Sequence, residues 1–317
     1  MIDESIFRGK KLAVVGNICR DVKMAPIVPA PHLFEDGETP TGFLVETIGG
    51  GGANSALSAA GLGADVRLAG KIGADPLGER LEALLVSHGV KSFLRRDPVT
   101  PTGTSIALSF TNGCRHFVSC QPNNDSLCFE DVDLGVLAGG GHLLRADLWF
   151  SEPMLFGGNA RLLATAQDRG MATSIDLNWD PLWGSATDEA IRKRKQAVRQ
   201  ILPLADLVHG NVRELSLFAD APDLSTALER LAAWGAKAVV VHLGSKGAGY
   251  YWHDRLIVDP PAPVRQHVNA TGTGDLLSTC MMLAHAQANV PVIEKLRLAN
   301  RIVAEFIAGK RNLLPPL

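Results

Sequence analysis

The sequence contains no apolar run approaching the ~18 residues that a membrane-spanning helix needs. Its N-terminus, MIDESIFRGKK, has no apolar stretch behind its basic residues, so neither a secretory signal nor a membrane partner is expected. Neither sign of charge prevails: 31 Lys and Arg stand against 33 Asp and Glu, for a formal net charge of −2. That balance argues against nucleic acid or an anionic membrane surface as the main partner. Cysteine is scarce. The five residues Cys19, Cys114, Cys120, Cys128 and Cys280 are scattered and odd in number, which reads as free thiols in a reducing, cytoplasmic setting. Cys114, His116 and Cys120 match no closed four-ligand zinc pattern, and strand thiols beside a surface histidine are the simpler account. Internal repeats, low-complexity tracts and clear linkers are also missing, so residues 1–317 are read as one domain. No G-x-x-x-x-G-K-[ST] occurs, which argues against a P-loop NTPase. The run Gly49-Gly50-Gly51-Gly52-Ala53-Asn54 fails the dinucleotide-binding fingerprint, because Asn54 stands where its last glycine belongs.

What is present is a regular alternation. KLAVVG reads as a buried strand, ANSALSAAGLG as a helix and VRLAG as a strand. DPLGERLEALLVSHG carries Leu77, Leu81, Leu84 and Leu85 at helical spacing, and Gly89 stops it. The second half repeats the rhythm: ADLWF as strand, ARLLATAQDRG as helix, ATSIDLN as strand, ATDEAIRKRKQAVRQIL as helix. ADLVHGN and KAVVVHLG read as further strands, with NVRELSLF and LSTALERLAAWG as helices between them. Continuous rather than alternating apolar strands predict a mostly parallel sheet with helices on both faces, a three-layer αβα fold. Two segments break the pattern. Met24–Gly42 is rich in Pro and Gly, and Thr102–Cys120 reads as a hairpin turning at Thr111-Asn112-Gly113. Together they predict a small β lid, from about 22–47 and 101–124, over the C-terminal edge of the sheet.

The glycine runs carry the chemistry. Gly49–Gly52 can let backbone amides approach a ligand, with Asn54 offering both a donor and an acceptor; a plain turn with Asn54 as helix cap accounts for the same residues. Gly272-Thr273-Gly274 before an apolar helix is more specific. Amides at a helix start, with the positive end of the helix behind them, form an anion site. A carboxylate there, Asp275, is awkward unless it has a second task. The consistent assignment gives the amides a transferring phosphoryl group and Asp275 the proton of the attacking hydroxyl. An aspartate of ordinary basicity suffices for that task.

With those residues in view, the chain resembles the ribokinase-like (PfkB-type) carbohydrate kinases over nearly its whole length. GGGGANSALSAAGLGADVRLAGKIGADPLGERLEALL is similar to that family's N-terminal signature, and VNATGTGDLLSTCMMLA to its C-terminal one. DLNWDPLW, HGNVRE and HLGSKG resemble three further motifs, in the family's order. The resemblance implies ATP as donor, Mg2+ with the nucleotide, Asp275 as base, and Gly272, Thr273 and Gly274 as anion hole. It puts Asp21, Gly50, Asn54 and Glu152 against the acceptor. It puts Asn211, Glu214, His242, Gly244, Ser245 and Gly247 on the nucleotide side, with Glu214 reaching the metal through water. Asp21, following a strand, would sit at the sheet's C-terminal edge; without the family a surface acid is the default. Asn211 and Glu214 also spell a helix-capping box.

The departures narrow the acceptor. Asn269 replaces the family's usual Asp, and the tail AGKRNLLPPL lacks the glycine segment that completes a monovalent-cation site; both weaken the case for potassium. Asp180 stands where Arg is usual and Gly51 where some relatives have Lys, which argues against a phosphorylated or acidic sugar. A small neutral sugar is the first expectation. A nucleoside acceptor is the second, because related nucleoside kinases share the Asn at position 269. A catalytically silent sugar or nucleotide sensor is the third. An exposed lid edge would allow a homodimer.

Overall fold

A computed structural model describes residues 2–265 and 271–317; Asn269 therefore lies outside the described residues. Strand β1 (Lys11–Val15) leads to β2 (Cys19–Met24) and β3 (Leu44–Gly49), and helix α1 (Gly51–Gly61) returns the chain to β4 (Asp65–Gly73). α2 (Pro76–Ser87), β5 (Val90–Asp97), β6 (Thr104–Ser109), β7 (Arg115–Cys120) and the single turn α3 (Pro122–Asp125) follow. Then come β8 (His142–Arg145), α4 (Asn159–Asp168), β9 (Ala172–Asp176), α5 (Asp188–Ile201), β10 (Leu207–Asn211), α6 (Val212–Phe218) and α7 (Leu224–Ala233). The chain closes with β11 (Val239–His242), β12 (Ala248–Trp252), β13 (Arg255–Asp259), α8 (Thr273–His285) and α9 (Val292–Ile307).

Nine strands form the main sheet in the order β13-β12-β11-β10-β9-β8-β1-β4-β5. The seven from β11 to β5 run parallel, while β12 and β13 are antiparallel. Because parallel strands are covered on both faces, neighbouring strand residues bury on opposite sides. Leu144 joins a core with Leu276, Met281 and Ile302 of α8 and α9, whereas Leu143 joins one with Leu162, Val198 and Leu228 of α4, α5 and α7. The remaining strands form the expected lid, a separate sheet in the order β3-β2-β6-β7. The β6–β7 hairpin turns between Phe110 and Cys114, where Phe110 N–H bonds Cys114 O at 3.0 Å.

Two expectations are corrected. ADLWF is not a strand: the strand is His142–Arg145, and Ala146–Phe150 turns away from its C-terminal end. Leu148 and Trp149 are fully buried there, and that burial gives the turn its strand-like apolar run. Asp21 does not follow a strand of the main sheet; it lies inside β2, paired with Thr47 and Ser105, and the lid carries it.

The first turn of α1 rests on the turn after β1. A Cβ on Gly52 would stand 2.6 Å from the Gly16 carbonyl carbon, and one on Gly16 2.8 Å from the Gly52 Cα. Neither backbone can yield without moving the helix from the sheet edge. Gly52→Ala is expected to cost on the order of 1–3 kcal/mol and to lower Tm measurably; an unchanged melting curve would contradict this close approach.

Candidate active site

Helix α8 begins at a left-handed Gly272 (φ +83°), and the Leu276 N–H makes the first bond back, to Gly272 O at 2.9 Å. The amides ahead of that bond face out of the helix end, at the C-terminal edge of the parallel strands. A Cβ on Gly274 would stand 3.2 Å from His242 Nδ1, so the turn is also pressed against the end of β11. Asp275 is partly buried in the first turn, and its Oδ2 accepts a hydrogen bond from Asn54 Nδ2 at 3.0 Å. That bond joins the two glycine-led helices, α1 and α8, across 221 residues of sequence.

Asp275 is not an aspartate of ordinary basicity. Burial first, then the charge of Asp147, then those of Glu214 and Asp21, push its carboxyl up to about 7, against the opposing pull of the Asn54 bond. Several carboxylates share the cleft, and each raises the cost of ionising the others. Asp21 is buried, with its carboxylate packed on Gly49, where a Cβ would meet the Asp21 Cγ at 2.2 Å. Its pKa is raised chiefly by burial and further by Asp147, against Lys23 and the Cys19 thiol, which lower it.

Sequence reasoning missed Asp147 and Asp176. Asp147 is buried and accepts the amides of Asn17 (3.0 Å), Gly51 (3.2 Å) and Gly52 (2.9 Å), clamping the glycine run to the end of β8. Its pKa is raised by burial, against those hydrogen bonds and Arg145. Asp176 ends β9, and its pKa is raised well above the ordinary range by burial and by the charges of Glu214 and Asp275. The available signal for both was an acid at or just beyond the end of a parallel strand. Misplacing the strand at ADLWF hid that signal for Asp147.

Gly50 caps α1 at its N-terminus. Glu152 stands apart from this group. Its side chain is 69% exposed and pairs with Arg194 at 3.6 Å, so the acid against the glycine run is Asp147. Asp180 is likewise not an acceptor-facing anion. It is fully buried and bonded to Arg194 Nε at 2.8 Å and Nη2 at 3.1 Å, so its charge is compensated inside the protein. Its presence therefore says nothing against an acidic acceptor.

Asn211 and Glu214 form the reciprocal capping box of α6: Asn211 N–H donates to Glu214 Oε2 at 2.8 Å, and Glu214 N–H to Asn211 Oδ1 at 2.9 Å. Burial raises the Glu214 pKa, against the hydrogen bonds that Asn211 gives its carboxylate, first of them the one from the Asn211 backbone N–H. The capping box thus fixes a carboxylate whose charge reaches Asp176 and Asp275. His242 ends β11 with Nε2 3.0 Å from Ser278 Oγ, and burial lowers its pKa to about 4, so the ring is neutral at pH 7. Beside it, Gly244, Ser245 and Gly247 border a cavity of about 420 Å3 that runs to Thr273 and Gly274. Leu277, Val303 and Ile307 give the cavity an apolar wall. An apolar slot opening onto an amide-lined helix start suits a nucleotide base with phosphates. Among the described residues no three His, Cys, Asp or Glu side chains are placed to hold a metal ion by themselves. A divalent cation here would be shared with phosphates and water, as Mg2+ commonly is.

Comparison with known proteins agrees with this layout. The pfkB family carbohydrate kinase description matches residues 10–313. A fructokinase of Vibrio alginolyticus is 25% identical over 270 residues, covering 82% of this chain and 84% of the relative. A cytidine kinase of Thermococcus kodakarensis is 29% identical over 271 residues, covering 82% and 87%. The solved structure of Arabidopsis thaliana ribokinase complexed with ribose and ATP superposes with a TM-score of 0.76 at 21% identity, covering 96% of this chain and 95% of that one, and shares its fold. The chain belongs to the pfkB family of carbohydrate kinases, ATP-dependent phosphotransferases that act on an alcohol group.

Proposed function

We propose that residues 1–317 act as one kinase domain that phosphorylates a hydroxymethyl group of a small neutral sugar. The observation that carries this is the Asn54–Asp275 bond, which sets a basic carboxylate between the glycine run and the amide turn of α8. Asp21 and Asn54 would hold acceptor hydroxyls; Gly50 would let the backbone come close. The carboxylates of Asp21 and Asp147 against the glycine run favour an acceptor that offers hydroxyl donors and no negative charge of its own on that side. Bound ATP would supply the phosphoryl group. The turn Gly272–Gly274 would hold that group and Asp275 would take the hydroxyl proton. His242, Gly244, Ser245 and Gly247 would border the nucleotide, while Glu214, fixed by Asn211, would reach Mg2+ through water. A nucleoside acceptor is the second reading, favoured by the likeness to a cytidine kinase.

The test is ATP turnover against a panel of sugars and nucleosides, with and without potassium. A neutral hexose or pentose as the best acceptor, with little response to potassium, is expected. A ribonucleoside as best acceptor would favour the second reading, and ligand binding without turnover across the panel would leave a sensor. Leu44, Ile106 and Val118 stand exposed on the lid face opposite Asp21, an apolar surface suited to a homodimer. Sedimentation as a monomer would remove that proposal.

A further inference from the structure

Asp21 and Lys23 stand two residues apart on β2, so both project from one face. The register carries that face across β6 to β7: Asp21 pairs with Ser105, Lys23 with Ala107, and these with Ser119 and Phe117. Arg115, two residues before Phe117, belongs to the same face. From there its Nη1 donates to Thr271 Oγ1 at 2.9 Å, on the residue immediately before Gly272. A guanidinium on the lid thus reaches the rim of the amide turn, across 156 residues of sequence. Lys23 is partly buried, and its ammonium is destabilised first by burial and also by the Arg115 charge, while Asp21 supports it. Neither cation forms an ion pair among the described residues. Two cations facing one cleft repel each other, and an anion between them relieves the repulsion.

We propose that Arg115, assisted by Lys23, is the lid cation that contacts the transferring phosphoryl group from the acceptor side, opposite the amides of the α8 turn. This deepens the kinase reading above and rests on it. In the transfer, the acceptor oxygen gains the bond to phosphorus that the β–γ bridging oxygen loses, the bonding electrons leave with the diphosphate, and Asp275 takes the hydroxyl proton. The phosphoryl group, with its negatively charged oxygens, therefore moves from the nucleotide to the acceptor on the lid side, where Arg115 and Lys23 meet those oxygens. An anionic group carried by the acceptor itself would answer the same two cations, so the test separates the two sources.

The experiment uses the full chain as Arg115→Ala, Arg115→Lys and Lys23→Met, with neutral and anionic sugars as acceptors. Arg115→Ala is expected to lower kcat on neutral acceptors by roughly 10²–10³ with ATP KM nearly unchanged. Arg115→Lys should retain part of the rate, and millimolar guanidinium should restore part of it to the alanine variant. Calorimetry supplies a readout apart from turnover. ADP should bind wild type and Arg115→Ala alike, whereas ADP with aluminium fluoride and the best neutral sugar should bind the variant at least tenfold more weakly. Unchanged kcat on neutral sugars, with KM raised only for anionic ones, would assign the cations to the acceptor and overturn the proposal. Absence of transfer by the unmodified protein to every acceptor would overturn the underlying kinase reading instead.

Discussion

Asp275→Asn is expected to lower kcat by roughly 10²–10⁴ while nucleotide affinity stays close to wild type, the usual scale for loss of a general base. Asparagine keeps the shape and can keep a hydrogen bond to Asn54, so the change isolates basicity from packing. The same substitution should make the protein more stable. In the folded chain Asp275 titrates at about 7, above its ordinary 3.8, because burial and the neighbouring carboxylates oppose its charge. Between those two pH values the folded state holds more protons than the unfolded one. Stability therefore falls as pH rises through this window, and the loss is complete above about 7. Removing the ionisable group removes the loss. Thermal melts of ligand-free protein should show a higher Tm for Asp275→Asn at pH 8, and nearly equal values at pH 4. Near-normal turnover in the variant would take Asp275 out of the base role. A lower Tm at pH 8 would contradict the electrostatic account of its raised pKa.

The second large effect concerns Asp21→Ala. A carboxylate packed on Gly49 can accept two acceptor hydroxyls, each charge-assisted bond contributing about 1.5–3 kcal/mol. Acceptor KM should rise roughly 10²–10³-fold, and ATP KM by far less, since Asp21 lies on the lid strand and the cavity proposed for the nucleotide is lined by His242, Gly244 and the first turn of α8. Steady-state kinetics with each substrate varied in turn checks this. A larger rise in ATP KM would put Asp21 on the wrong side of the site.

The parts of this site legible in the sequence are those whose chemistry is local. Gly272-Thr273-Gly274-Asp275 declares a helix start, and the structure begins α8 there. Asn211 and Glu214 read equally as motif and as capping box, and the structure shows the capping box in full. The Thr111-Asn112-Gly113 turn gave away the β6–β7 hairpin. What was hidden depends on tertiary approach. Asp147 meets Gly51 and Gly52 across 96 and 95 residues, a pairing that no local pattern announces. Asp180 looked like an acceptor-side charge because its partner, Arg194, arrives only through the packing of α5. The β12–β13 hairpin escaped notice because its turn places His253 and Asp254 at positive φ (47° and 56°), without the Asn-Gly that usually marks such a turn. The raised basicity of Asp275 was also beyond reach, since it comes from burial and from three acids, Asp147, Glu214 and Asp21, brought in from distant segments.

The proposed base role of Asp275, held beside the amide turn, requires its carboxylate to be ionised to accept the acceptor's proton. Its most direct test is the pH dependence of kcat/KM for the best acceptor, measured under saturating ATP. The account predicts a profile level above about pH 7 that falls close to tenfold per unit below it, with that limb absent from the residual rate of Asp275→Asn. A wild-type profile flat from pH 5 to 9, or the same acid limb persisting in the asparagine variant, would contradict it.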